Sequence, residues 1–254
     1  MTDQIRFLLA LDGAGAPLVT RCLGAMPGVV MLSRIHPAAE NGNNPMEQAY
    51  KWFGLFEKSD IERLQQQADW PYHEIIQMIA ERAEKKGQVL VIGDRSHQDF
   101  VDDKPVSELP GIFLHPTVLK ARMMPKSAAL IRHPVDQWVH LQNQLGPDAP
   151  SVEIFLRGYR RFSDCLAGIE TVRFEDFLAD PASTLTALCA QLDIPYNADW
   201  ETGWRDYTTF VNEPAREKPE GAAELTATEE IVALFEANPD YAPTVETLGY
   251  GAKN

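Results

Sequence analysis

The chain of 254 residues carries 37 acidic against 23 basic side chains, a net charge of −14 at neutral pH. That excess repels nucleic acid and anionic membranes, so neither is an expected partner, while a local basic pocket around one small anion stays open. Apolar residues at 44% and charged residues at 24% suit one large globular domain over 1–254, and no apolar run nears the roughly 18 residues that cross a bilayer.

The N-terminus "MTDQIRFLLAL" lacks a basic leader and a small-residue cleavage site. With three scattered cysteines, Cys22, Cys165 and Cys189, it predicts a cytoplasmic protein with reduced, buried thiols and no structural zinc. Ile5–Leu11 reads as a buried strand, and Gly13 and Gly15 as the turn into a helix over Pro17–Met26. Val29–Ser33 is a second strand, running into "SRIHPAAE" with Arg34, His36 and Glu40. Helical patterns follow in "NPMEQAYKWFGLF", in "SDIERLQQQA" with Ser59 as N-cap, and in "WPYHEIIQMIAERAEKKG" with Gly87 as C-cap. The aromatic residues of the first pattern and Trp70 are read chiefly as core, with a substrate-lining role left open.

The third strand, Val89–Gly93, delivers "GDRSHQDF", and the fourth, Ala128–Arg132, delivers "RHPVDQWVHL" at the start of another helix. A helix over "PSVEIFLRGYRRFSDCLAGI" precedes a weaker fifth strand, Ile169–Glu175. "DPASTLTALCAQLD" then begins a helix capped by Asp180. Phe210–Glu224, with two prolines and mixed charge, reads as a mobile loop, and 210–254 as a looser C-terminal extension. Strands alternating with helices predict right-handed βαβ units and a doubly wound α/β fold, a three-layer α/β/α sandwich on a parallel sheet. Such folds bind ligands beyond the C-terminal strand ends.

Four features lie at those ends, and each has a bland alternative. The Gly13–Gly15 turn allows backbone N–H groups and a positive helix end to meet a phosphate, yet tight turns also use glycine for steric reasons alone. It lacks the GK[ST] of a Walker loop, which argues against a nucleotide kinase. Arg132 is either a ligand residue or a partner of backbone carbonyls or Asp136. Asp94, Arg95, Ser96 and His97 form a dense ionisable set in which Asp94 and Arg95 could simply pair. His36 and His97, on adjacent loops, would converge on one cleft without a recognised zinc spacing, so no metal is expected. Arg157, Arg160 and Arg161 read as a solvated helix face.

Taken in order, these segments resemble the sulfotransferase family, whose members are similar in fold to the P-loop nucleotide kinases. "ALDGAGAPLVTRCLGAMPGV" resembles its first-strand loop, GxxRSGTT followed by LL…HP. Gly13 then stands at the family's basic position, Ala14 at its Ser, Gly15 at its Gly, and Ala16 and Pro17 at its two Thr, with Leu18 closing the loop. "ALIRHPVDQWVHL" resembles the R-x-P-x-x-x-x-x-S element that holds the 3′-phosphate of 3′-phosphoadenosine 5′-phosphosulfate, with Arg132 matching and His140 in place of Ser. "VRFEDFLADPASTLTALCAQLDIP" resembles the RYEDL…DP…L…LGL stretch, with Phe174 for Tyr. "GDRSHQDF" resembles the third-strand loop of a bacterial subgroup.

The resemblance implies a sulfotransferase using that phosphosulfate as co-substrate, without metal, to sulfurylate a hydroxyl or amine of a small-molecule acceptor. Arg132 and His140 would meet the 3′-phosphate, and Arg95 would replace the cation missing from the loop. His97 or His36 would be the base, and Arg216 and Lys218 would cover the donor from the C-terminal extension. Because the loop has lost its charged and hydroxyl groups, a catalytically inactive scaffold of the same fold is the competing expectation. If only those groups are missing, Arg at 13 and Thr at 16 and 17 would recreate donor binding. Neither the acceptor nor the oligomeric state is encoded in any motif.

Overall fold

The computed structural model describes residues 4–38, 44–66, 71–101, 108–207 and 227–251. Five strands form one parallel sheet in the order β2-β3-β1-β4-β5. They are β1 (Gln4–Ala10), β2 (Val29–Ile35), β3 (Val89–Arg95), β4 (Met124–Ile131) and β5 (Glu170–Arg173). The expected strands are present, and β4 begins four residues earlier than its apolar run because its first half is largely exposed. Along β1, Ile5, Phe7 and Leu9 bury into one core and Leu8 and Ala10 into the other. A strand covered on both faces therefore reads as an unbroken apolar run.

Helix α1 (Ala16–Gly24), α9 (Phe174–Ala179), α10 (Pro181–Leu192) and α11 (Trp200–Gly203) bury side chains in one of these cores. The opposite core takes α2 (Pro45–Lys51), α4 (Tyr72–Lys85), α5 (His97–Phe100), α6 (Leu114–Leu119), α7 (Pro134–Leu145) and α8 (Val152–Asp164). It also takes α12 (Glu229–Glu236) and α13 (Tyr241–Thr247) through Phe235, Tyr241 and Val245. The result is the expected three-layer α/β/α fold. Residues 227–251 pack more tightly than the expected loose extension, since Phe235, Tyr241, Val245 and Leu248 belong to the core. The expected loop at Phe210–Glu224, with Arg216 and Lys218, lies outside the described residues, as do Glu40 and Trp70.

Local signals set the element ends. Gly15, in the left-handed region at φ 89°, precedes α1, and Pro17 lies in its first turn. Asp180 accepts from the Ser183 N–H at 3.0 Å and caps α10 as expected. Gly87, at φ 70°, follows the end of α4 as expected. Ser59 does not cap α3 (Lys58–Gln66), which starts one residue before it; the Asp60 carboxylate reaches back to the Glu57 N–H at 3.2 Å.

The connection leaving β1 enters α1 on one face, while that leaving β4 enters α7 on the other. These neighbouring strands thus diverge at their C-terminal ends, which opens the crevice where doubly wound folds bind ligands.

Candidate functional site

The loop from β1 to α1 is shaped by its two glycines. Gly13 has φ 85°, and a Cβ there would lie 2.8 Å from Leu141 Cγ and 2.9 Å from the Gln137 carbonyl oxygen. Gly15 meets the Phe174 ring so closely that a Cβ would sit 2.2 Å from it. Glycine is therefore required at both positions by backbone angle and by neighbours. An arginine side chain at position 13 does not fit, so the sequence-based idea that Gly13→Arg would help restore the loop is corrected. Thr20 offers no substitute hydroxyl, because it is buried and donates to the Pro17 carbonyl at 3.0 Å.

Within the loop, the Ala14 N–H donates to Leu11 O at 3.2 Å, and Gln137 Nε2 holds the Asp12 carbonyl at 2.8 Å. The N–H groups of Leu18 and Val19 close the first turn of α1 on Gly15 O. Among the described residues, the N–H groups of Gly13, Gly15 and Ala16 enter no hydrogen bond of this kind. They stand at the positive end of α1, where an anion is favoured.

Charge reaches the loop from neighbouring strands. Arg95, ending β3, donates to Asp12 Oδ2 from Nε at 3.1 Å and from Nη2 at 2.9 Å. Arg34, near the end of β2, reaches the same oxygen from Nη2 at 3.3 Å. Burial favours the neutral acid at Asp12, but His97, Arg34 and Arg95 outweigh it and hold the carboxyl down at about 2. Both arginine side chains remain about one-third exposed, at 34% and 31%.

The backbone of β2 is bent to deliver Arg34. Its ladder with β3 shifts register between Leu32 and Ile35, and Arg34 adopts φ 54°. The fully buried Gln48 of α2 holds this irregularity, accepting from the Ser33 N–H and donating to the Ser33 carbonyl, both at 2.8 Å.

On the other side of β1, Arg132 follows β4 and is 7% exposed. Its Nη1 approaches Gly13 O at 3.4 Å, and its guanidinium lies 5.2 Å from the centre of the Phe174 ring. Tyr159 fixes its backbone, donating its hydroxyl to Arg132 O at 2.6 Å and accepting from the Arg132 N–H at 3.4 Å. Glu175 accepts from the His133 N–H at 2.7 Å and from the Tyr250 hydroxyl at 2.9 Å, tying α13's end to this strand tip. His140 stands, partly buried, two turns along α7.

The two histidines, 5% and 6% exposed, differ in what they touch. His97 opens α5, 6% exposed, near enough to Asp12 for its charge to act there. His36 is turned inward, its side chain 1% exposed. Its Nδ1 accepts from the Ala38 N–H and its Nε2 bonds Asp99, both at 3.2 Å, so both ring nitrogens are engaged. Beside it, Tyr72 bonds His115 Nε2 at 2.6 Å, His115 Nδ1 bonds Asp94 at 2.8 Å, and Ser96 donates to Asp94 at 2.6 Å. Asp94 therefore pairs with His115 rather than with Arg95. Asp12 and His115 were the residues sequence reasoning missed. Among the described residues, no group of three or more His, Cys, Asp or Glu side chains is placed to hold a metal ion.

This architecture matches solved structures over nearly the whole chain. The sulfotransferase domain of the Synechococcus PCC 7002 olefin synthase superposes with a TM-score of 0.71 at 16% identity, covering 99% of this chain and 96% of that one. The fold is that of the sulfotransferases. A sulfotransferase domain from the curacin biosynthetic pathway gives 0.61 at 14% identity, covering 98% and 99%. No family model and no curated protein sequence matches the chain. In this sulfotransferase fold, the Gly13–Leu18 loop and Arg132 occupy the diverging ends of β1 and β4. No helix is long and apolar enough to cross a membrane among the described residues.

Proposed function

We propose that the protein is a sulfotransferase using 3′-phosphoadenosine 5′-phosphosulfate, in which cations borrowed from neighbouring strands replace those missing from the first loop. The observation that carries this reading is the Asp12–Arg34–Arg95 cluster against the Gly13–Leu18 loop, opposite Arg132, in a chain of net charge −14. Arg34, Arg95 and Arg132 bring positive charge to this loop in a molecule that is acidic as a whole, which suits a polyanionic donor.

Arg132 would hold the 3′-phosphate, supported by Tyr159 and by the Phe174 face, with His140 beyond it. The N–H groups of Gly13, Gly15 and Ala16 would meet the phosphosulfate, with Ala14, Pro17 and Leu18 shaping the loop and Arg95 supplying charge. The donor contributes an activated sulfuryl group: as the acceptor oxygen or nitrogen bonds to sulfur, the sulfur–oxygen bond to the nucleotide phosphate breaks. Negative charge then grows on that oxygen, and fixed donors aimed at it lower the barrier; one such donor is worth about 10²–10³ in rate. His97 would take the acceptor proton, and Asp12 would stabilise the imidazolium formed. His36, bonded at both nitrogens, is the weaker candidate.

Titration calorimetry with adenosine 3′,5′-bisphosphate tests this: the wild type binds and Arg132→Ala binds at least tenfold more weakly. Absence of wild-type binding at millimolar ligand contradicts the reading. A second reading, an inactive scaffold, is favoured by the loop's lack of any hydroxyl or charged side chain from 13 to 18. Release of the bisphosphate from the donor in the presence of phenol, alcohol and amine acceptors, lost in His97→Gln, separates enzyme from scaffold.

A further inference from the structure

Helix α13 closes in a turn that its own sequence specifies. Gly249 takes the left-handed φ of 69°, its N–H bonds Glu246 O at 3.0 Å, and the Tyr250 N–H returns to Val245 O at 2.9 Å. This pairing is the glycine-closed helix end, in which the residue after the glycine is turned back toward the helix. Arg173, ending β5, grips the turn from the sheet side. Its Nη2 donates to the Gly249 carbonyl and, at 3.4 Å, to the Leu248 carbonyl, and its guanidinium lies 4.6 Å from the centre of the Tyr250 ring. A Cβ on Gly249 would stand 3.0 Å from that same nitrogen.

The turn reaches the strand tip of β4 through Glu175. The Tyr250 hydroxyl donates to Glu175 Oε2 at 2.9 Å, and Glu175 Oε1 accepts from the His133 N–H at 2.7 Å. The Tyr250 ring also meets the His133 imidazole edge-on, with centres 5.3 Å apart. Burial, with the Glu175 carboxylate beside it, pushes the Tyr250 phenol up, so it keeps the proton it donates. The His133 N–H and the Arg132 carbonyl are the two polar ends of one peptide unit, and Tyr159 donates to that carbonyl at 2.6 Å. A planar peptide held at both ends cannot rotate without breaking a bond, so it fixes the direction in which Arg132 leaves the strand. Between Arg173 and Glu175, Phe174 lies against both the Arg132 guanidinium and Gly15. Three consecutive residues thus connect the α13 turn to Arg132 and to the first loop.

We infer that Tyr250 is a positioning residue for Arg132, so that docking of the α13 turn and binding of a 3′-phosphate are coupled. The inference rests on the donor reading above and extends it to the C-terminal helices. The Tyr250 hydroxyl holds the Glu175 carboxylate, which holds the peptide that aims the guanidinium. Coupling of this kind is reciprocal: a ligand that needs Arg132 in place also steadies the turn.

Calorimetry with two nucleotides tests it. Adenosine 3′,5′-bisphosphate should bind Tyr250→Phe about threefold or more weakly than wild type. Adenosine 5′-monophosphate, which offers Arg132 no 3′-phosphate, should bind the two proteins alike, whereas a merely structural role would weaken both nucleotides. In an Arg132→Ala background, Tyr250→Phe should change bisphosphate binding by less than about twofold. Glu175→Gln, which keeps an acceptor for the His133 N–H, should bind the bisphosphate more tightly than Glu175→Ala. Should Tyr250→Phe fail to fold by circular dichroism, Arg173→Met, which releases the same turn from the sheet side, carries the same expectation. Wild-type binding that Tyr250→Phe leaves unchanged, equal weakening of both nucleotides, or effects that simply add to Arg132→Ala overturn the inference and leave the donor reading standing. Absence of wild-type bisphosphate binding overturns both.

Discussion

Asp12 is the residue on which the candidate site turns, because it draws two arginines to a loop that has no cation of its own. Its folded pKa, about 2, lies below the ordinary carboxylate value. The stability it contributes, about 2 kcal/mol, is therefore fully present above about pH 4 and lost as pH falls toward 2. Asp12→Asn should lower the melting temperature near pH 6, and its difference from wild type should vanish near pH 2, as followed by thermal denaturation across pH. Gly13→Arg should not repair the loop but cost about 2–4 kcal/mol, since the new side chain meets Leu141 and the Gln137 carbonyl at an unfavourable φ; urea unfolding measures it. The thiols are ranked by burial, which pushes Cys22 and Cys189 up to about 12 and also raises Cys165, the least buried of the three. A thiol reagent at neutral pH should modify Cys165 first and the other two only on unfolding.

At the scale of elements, two polar clamps hold the strand tips. Gln48 satisfies both backbone groups of Ser33 where β2 leaves its ladder. Gln48→Leu, similar in volume, strands two buried groups and should cost about 2–4 kcal/mol in chemical denaturation. Tyr159→Phe removes the bond to the Arg132 carbonyl. It should cost about 1–2 kcal/mol and weaken bisphosphate binding several-fold by calorimetry, less than the tenfold or greater loss expected of Arg132→Ala. The strands were legible because burial on both faces makes each an apolar run, as in "FLLAL". The first half of β4 was not, since Met124 and Pro125 are exposed and carry no such signal. Short helices such as α5, α6 and α9 span too few residues to display a period. Ser59 misled because the reciprocal contact of Asp60 with the Glu57 N–H, not a preceding hydroxyl, sets the start of α3.

For the whole molecule, the parallel sheet in the order β2-β3-β1-β4-β5 brings together residues no local pattern connects. Asp12 and Arg95 are 83 residues apart, and His36 and Asp99 are 63 apart. That separation explains why Arg95 and Arg132 were legible as strand-tip cations while their partners were not. His36 looked equivalent to His97 in sequence, yet His36 is bonded to Asp99 while the charge of His97 acts on Asp12. The central claim is that an uncharged loop binds a phosphosulfate nucleotide with arginines supplied by adjacent strands. A crystal structure with adenosine 3′,5′-bisphosphate tests it most directly. The account predicts the 3′-phosphate against Arg132 and the 5′-phosphate on the N–H groups of Gly13, Gly15 and Ala16 beside Arg95. Nucleotide bound elsewhere, or no nucleotide at saturating concentration, would contradict it.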